Sequence, residues 1–166
     1  MKGKRVLTVL VATVTVASMI VAPSSAAPKR WAKVLVSQDG HTWTRNLSKP
    51  LFATNLTWVP GDDLTRRFYV RNRSGDRARL GMVMTVDDRS RMLRSGQLRF
   101  FVKVGSARWV RVVRAGGQQL VRMNMKAGAV KPVLVRVQLV PGAGNSTMRK
   151  REPFRLKLRL TSLRRR

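Results

Sequence analysis

Residues 154–160, Phe154-Arg155-Leu156-Lys157-Leu158-Arg159-Leu160, alternate apolar and cationic side chains without a break. Successive side chains of a β-strand point to opposite faces, so this stretch predicts a strand with one apolar and one positively charged face. An α-helix would distribute the same residues around its axis and leave no apolar stripe. The stretch therefore indicates a sheet that covers a core with one face and presents cations on the other.

The same two-residue period recurs along the chain between turn-forming dipeptides such as Asp39-Gly40, Pro60-Gly61 and Gly116-Gly117. One short helix is expected at 89–94, with Asp88 as its N-cap and Gly96 just beyond its end. Short strands at this spacing predict an all-β fold, an antiparallel β-sandwich with jelly-roll-like topology. We expect about nine strands, at 31–37, 41–44, 65–72, 77–87, 97–104, 108–113, 118–125, 131–140 and 154–160.

The N-terminal segment has the three parts of a secretory signal peptide. Lys2, Lys4 and Arg5 precede an apolar run at 6–21, and small residues follow at 24–27. The apolar run is shorter than the roughly 20 residues that span a bilayer, which favours a cleaved signal over an uncleaved anchor. We expect cleavage after Ala26, which divides the chain into a signal peptide (1–26) and a single β-sandwich domain (27–166). The mature protein would then be secreted or at the cell surface, with no transmembrane segment.

The stretch 58–76 consists of a Pro-Gly-Asp turn, a strand that ends in Asn, and a Ser-Gly-Asp turn. We expect Phe68 and Val70 to point inward, Asn72 to cap the strand end, and Asp62 to accept hydrogen bonds from backbone N–H groups at the strand start. This layout resembles the corresponding part of small exported bacterial β-sandwich proteins of the camelysin and TasA-like type. The positions that carry the resemblance are Trp58, Pro60, Gly61, Asp62, Phe68, Val70, Asn72 and Gly75.

The resemblance implies a jelly-roll-like sandwich with a role in the cell envelope or extracellular matrix of a Gram-positive, actinobacterial source. Some proteins of this type form extracellular fibres, and some carry a metallopeptidase label. The peptidase label is not transferred, because this chain has a single histidine and no His-rich element. A formal charge of +28 also opposes fibre formation, because like charges repel between protomers, so a monomer is favoured.

The composition excludes several kinds of chemistry. The chain has no cysteine and one histidine, His41, so a thiol nucleophile, a cysteine zinc site and a three-histidine metal site are absent. Two adjacent acidic pairs, Asp62-Asp63 and Asp87-Asp88, leave bound calcium open as an alternative. We otherwise expect no catalytic residue, metal or cofactor, and we keep a small secreted hydrolase as the least favoured alternative.

The chain carries 35 Lys and Arg against 7 Asp and Glu, and this is its strongest functional signal. Such a surface attracts polyanions, which outside a cell include teichoic acid, acidic polysaccharide and extracellular DNA. Neither a helix-turn-helix nor a zinc finger is visible, so sequence-specific nucleic-acid binding is not expected. A GC-rich genome would also favour Arg over Lys and remains an alternative explanation. The candidate polyanion-binding residues are Arg122, Arg136, Arg155, Lys157 and Arg159; further outward cations are Arg77, Arg79, Arg99, Lys103, Arg108 and Arg111.

The four tryptophans are the last group with a predicted role. Each buries a large apolar area when it packs, so they are expected in the core or in cross-strand pairs rather than as stacking platforms. They are Trp31, Trp43, Trp58 and Trp109.

Overall fold

The computed structural model describes residues 34–52, 58–147 and 153–163. These residues form eight strands and one 3₁₀ turn, Asn145–Thr147. The all-β expectation is confirmed. The strands are β1 (Val34–Ser37), β2 (Asp63–Asn72), β3 (Ala78–Val86), β4 (Leu98–Val104), β5 (Val110–Val112), β6 (Gly116–Met125), β7 (Val130–Leu139) and β8 (Phe154–Ser162).

The strands form two antiparallel sheets that face each other. The five-stranded sheet has the order β1-β2-β7-β4-β5, and the three-stranded sheet has the order β6-β3-β8. Apart from β1–β2 and the β4–β5 hairpin around Gly105, each connection between the strands crosses from one sheet to the other. This is the crossing pattern of a jelly roll, as expected, with β1 paired to β2 at the edge of the larger sheet.

Alternating residues of both sheets form the core. In β3, Leu80, Met82 and Met84 are fully buried, and the half-exposed or exposed residues between them point outward. Phe100 of β4 and Val135 of β7 meet them from the other sheet, each almost fully buried. Each apolar side chain of this size contributes about 1.5–3 kcal/mol when it leaves water, so the alternation supplies the main driving force for folding.

The stretch 58–76 behaves as its residues predict. Phe68 and Val70 are buried, and Trp58 packs half-buried against the core. Gly61 has a φ of +100°, a conformation that a side chain would strain, and the Asp62 carboxylate accepts a hydrogen bond from the Val59 N–H at 2.8 Å. Gly75 lies exposed in the following turn.

Asn72 is the most highly connected polar side chain of this stretch. It is fully buried at the end of β2. Its Nδ2 donates to the carbonyls of Asp76 (2.9 Å), Met125 (3.3 Å) and Lys126 (3.0 Å), while its Oδ1 accepts from the N–H and hydroxyl of Ser74. The expected strand cap thus joins the end of β2 to the β2–β3 turn and to the β6–β7 turn, across both sheets.

The expected strand at 41–44 is wrong, which reduces the predicted nine strands to eight. Only Thr44 pairs, through a single bridge to Val36. The Asp39 carboxylate accepts from the Ser37 hydroxyl and from the N–H groups of His41 and Thr42, and these bonds hold its pKa well below the ordinary value. These bonds use backbone N–H groups that a β-strand would donate to its neighbouring strand. Residues 38–43 therefore form a loop.

The expected helix at 89–94 is also wrong. The Asp88 carboxylate accepts from the N–H groups of Leu93 (2.9 Å) and Arg94 (3.1 Å), five and six residues ahead, instead of the second or third residue that an N-cap binds. Arg91 has a φ of +60°, which a helix does not allow. The segment is therefore a series of turns around a buried carboxylate.

Several expectations concern residues outside the described ranges. These are the signal peptide and its cleavage after Ala26, and the placement of Trp31. Among the described residues, no helix has the length and apolar character needed to cross a membrane.

Candidate polyanion-binding face

Four of the five candidate residues lie on one surface, the outer face of the three-stranded sheet. Arg155, Lys157 and Arg159 alternate with inward-facing apolar residues along β8, and all three are exposed. Arg122 of β6 is exposed and lies in register with Gly81 of β3, which pairs with Arg159 on its other side. Residues directly opposite one another share a face, so the four cations point the same way.

A fifth cation completes this surface. Arg79 of β3 is exposed and lies two residues from Gly81, hence on the same side. We call the five residues Arg79, Arg122, Arg155, Lys157 and Arg159 the basic face. Strands β3, β6 and β8 contain no Asp or Glu, so no acidic side chain within these strands offsets the charge.

The middle of the basic face is a shallow groove of about 430 Å³. Its floor is Gly81, whose missing side chain leaves a gap between Arg122 and Arg159. Because neighbouring strands are about 4.8 Å apart, the two arginine backbones stand roughly 10 Å from each other across the groove. Along β8, alternate residues recur about every 6.8 Å, which places three cations in a row some 14 Å long.

A β-bulge in β6 shapes one side of the groove. The register shifts opposite Met82 and Val83, so that β6 carries Leu120 as an extra residue. The Gln119 side chain, at the groove edge, donates to the Met82 carbonyl at 3.0 Å. The bulge keeps Leu120 buried while both Gln119 and Arg122 stay on the outer side.

Arg136 does not belong to this surface. It lies on β7, on the outer face of the five-stranded sheet, on the opposite side of the sandwich. Its guanidinium forms a bidentate ion pair with the carboxylate of Asp63 on the neighbouring strand β2. The Gln138 side-chain amide donates to the same carboxylate at 2.8 Å. The bonds from Arg136 and Gln138 lower the pKa of Asp63 to about 2, and the pair raises the pKa of Arg136. Because this arginine already pairs with a carboxylate and lies on the other side of the sandwich, it is not grouped with the other four candidate residues.

The acidic pair Asp87-Asp88 makes its contacts within the fold. Asp87 pairs with Arg89 at 2.7 Å, and Asp88 binds backbone N–H groups with its carboxylate fully buried. His41 is exposed in the loop that Asp39 organises. The described part of the chain contains no group of three or more His, Asp or Glu side chains that could hold a metal ion.

The tryptophans divide between core and surface. Trp43 is half-buried, with the Arg71 guanidinium 5.7 Å from its ring centre. Trp109 is 39% exposed and precedes β5, so it lies in neither of its expected places, the core or a cross-strand pair.

Comparisons with known proteins give one structural likeness to report. No protein-family model matches the chain, and no curated protein matches it. A solved structure titled "AvmM Catalyzes Macrocyclization in Alchivemycin A Biosynthesis" is similar over 63% of this chain and 81% of its own, at 15% identity and a TM-score of 0.31. A likeness this distant carries no information on activity.

Proposed function

We propose that this chain is an exported, non-catalytic protein of the cell envelope or extracellular matrix that binds an anionic polymer through its basic face. One observation supports the proposal most strongly: five cationic side chains lie on the outer face of the three-stranded sheet, and its strands contain no Asp or Glu. The N-terminal segment 1–26 and the layout of residues 58–76 support the location. The polymers that fit are teichoic acid, acidic polysaccharide and extracellular DNA, in each case bound without sequence specificity.

The rigidity of the sheet favours binding of an extended polymer. Side chains on a sheet keep their spacing, so an anionic chain that lies in the groove over Gly81 meets cations on both sides. The planar guanidinium of arginine forms bidentate hydrogen bonds with a phosphate or carboxylate, and four of the five residues of the basic face are arginines. The five contacts together would release several counterions from the polymer.

β6 and β8 are the edge strands of the three-stranded sheet, and both carry cations. Charged side chains on edge strands oppose edge-to-edge pairing with a second copy. We therefore favour a monomer that lies on a polymer over a subunit of a fibre.

Co-sedimentation with isolated Gram-positive cell walls tests the proposal over a salt series from about 0.05 to 1 M. Five ionic contacts to a flexible polymer predict that log K falls with log salt with a slope of about −3.5, or on the order of 10⁴-fold across the series. Walls stripped of phosphodiester-linked polymer by hydrofluoric acid serve as the control and should bind much less. A flat salt response, or equal binding to stripped walls, would contradict binding to an anionic wall polymer.

A further inference from the structure

A second candidate site lies inside the sandwich and shares one lining residue, Lys157, with the groove of the basic face. A cavity of about 1000 Å³ opens between the two sheets at the edge formed by β1 and β8. Most of its lining residues are apolar and include Leu51, Phe52, Phe100, Phe154, Leu156 and Leu158. Ligand pockets in proteins have volumes of about 300–1,000 Å³, so this cavity is large enough for an entire small molecule.

The cavity exists because β1 is short. β1 has four residues and pairs only with the Tyr69–Asn72 half of β2, so the other half of β2 has no strand partner on that edge. The loop 45–52 lines this part of the sandwich in place of a strand. As a result, Leu156 and Leu158 on the inward side of β8 are only half-buried, while Leu160, which points the same way, is 2% exposed.

Aromatic rings stiffen one wall of the cavity. The rings of Phe52 and Phe154 meet edge to face at 5.9 Å between centres, and Phe154 meets Phe100 at 5.2 Å. Trp58 extends the row, 6.3 Å from Phe52. These tilted rings pack against one another and present apolar surface to a bound hydrocarbon chain.

The charges at the cavity have one sign. Arg45 and Lys49 of the loop 45–52 are exposed, and both line the cavity together with Lys157. None of the described lining residues is acidic. The arrangement is complementary to a molecule with a long apolar body and a single anionic head, since the body would enter the cavity and the head would meet these cations.

We propose that this cavity binds a long-chain carboxylate, with its hydrocarbon tail between the sheets and its carboxylate beside Arg45 and Lys49. Each buried methylene group contributes about 0.8 kcal/mol, so affinity is expected to rise about fourfold for each carbon added while the cavity still has room. Arg45 and Lys49, which carry the carboxylate contact, lie outside the basic face, so failure of this site would leave the proposed polymer binding unaffected.

The test is displacement of 11-(dansylamino)undecanoic acid from the purified protein by saturated fatty acids of 8 to 16 carbons, each below its micelle concentration. We expect saturable binding, affinity that increases with chain length, and about tenfold weaker binding of the alcohol of equal length. Inorganic polyphosphate should not displace the probe. Absence of saturable binding, no effect of chain length, or displacement by polyphosphate would overturn the proposal.

A pair of double variants assigns the head-group contact. Arg45→Glu with Lys49→Glu changes two exposed loop residues and is expected to abolish the preference for carboxylate over alcohol while alcohol binding persists. Arg67→Glu with Arg111→Glu makes the same change of charge on exposed positions of β2 and β5, and should keep the preference. If both double variants lose the preference for carboxylate over alcohol equally, overall charge rather than Arg45 and Lys49 selects the carboxylate.

Discussion

Replacement of Asn72 by alanine is expected to lower the free energy of unfolding by about 3 kcal/mol, the largest loss in stability that we expect from one substitution. The side chain is fully buried and satisfies three carbonyl oxygens and two donors of Ser74. Removing it leaves the buried Met125 carbonyl and several part-buried groups without this partner. A buried polar group without a partner costs about 1–3 kcal/mol, and water can partly replace the lost bonds of the others. The protein's four tryptophans provide the signal for urea unfolding.

Two further variants control this experiment. Asn72→Asp keeps the shape but replaces the donor with a carboxylate that would face three carbonyls, so an equal or larger loss is expected. Asn124→Ala removes an exposed amide from β6 and should change stability by less than about 0.5 kcal/mol. A loss below about 1 kcal/mol for Asn72→Ala would show that Asn72 does not hold the two sheets together.

The double variant Arg79→Glu with Arg122→Glu is expected to bind an anionic polymer about 100-fold more weakly than the parent protein at low salt. Each lost charge-assisted contact costs roughly a factor of ten, and the introduced carboxylates add repulsion. Because fewer counterions are released, the slope of log K against log salt should also change from about −3.5 to about −2. Titration with inorganic polyphosphate measures both quantities.

The matched control is again Arg67→Glu with Arg111→Glu, which makes an identical change in net charge on the opposite side of the sandwich. This pair should reduce affinity less than about fivefold, because only the long-range field changes. If both double variants weaken binding equally, net charge is responsible and the basic face is not a site.

Period-2 alternation was sufficient to predict the strands that cover the core. In β8, inward Phe and Leu alternate with outward Arg and Lys, and in β7 inward Val and Leu alternate with Leu134, Arg136 and Gln138, as the sequence indicates. The prediction failed where a side chain binds the backbone locally. Asp39 and Asp88 each use their carboxylates to order a loop, and a pattern of apolar residues does not report such bonds.

The candidate site was predicted in part, and Arg136 shows why. Alternation tells which side of its own strand a residue occupies, but it does not tell to which sheet that strand belongs. Arg136 and Arg159 are both outward residues, yet β7 and β8 lie in different sheets and the two arginines point away from each other. Pairing of Asp63 with Arg136 joins residues 73 positions apart and depends on the β2–β7 register.

Arg79 and Gly81 form part of the basic face and its groove, although neither is among the five candidate residues. Arg79 is visible in the sequence as an outward cation, but its place beside Arg122 follows from the order β6-β3-β8. Gly81 interrupts the alternation of β3, and a glycine inside a strand often marks a bulge or a place where another chain approaches the backbone closely. That signal marks Gly81 in the sequence, but the groove also depends on the order β6-β3-β8, which places cations on both flanking strands.

Arginine footprinting with phenylglyoxal, with and without inorganic polyphosphate, tests the central claim most directly. Under single-hit conditions, peptide mass spectrometry reports the reactivity of each arginine separately. Binding through the basic face predicts protection of Arg79, Arg122, Arg155 and Arg159, with Arg67 and Arg111 equally reactive in both samples. Protection spread evenly over both faces, or confined to Arg67 and Arg111, would contradict the claim that the outer face of the three-stranded sheet binds the polymer.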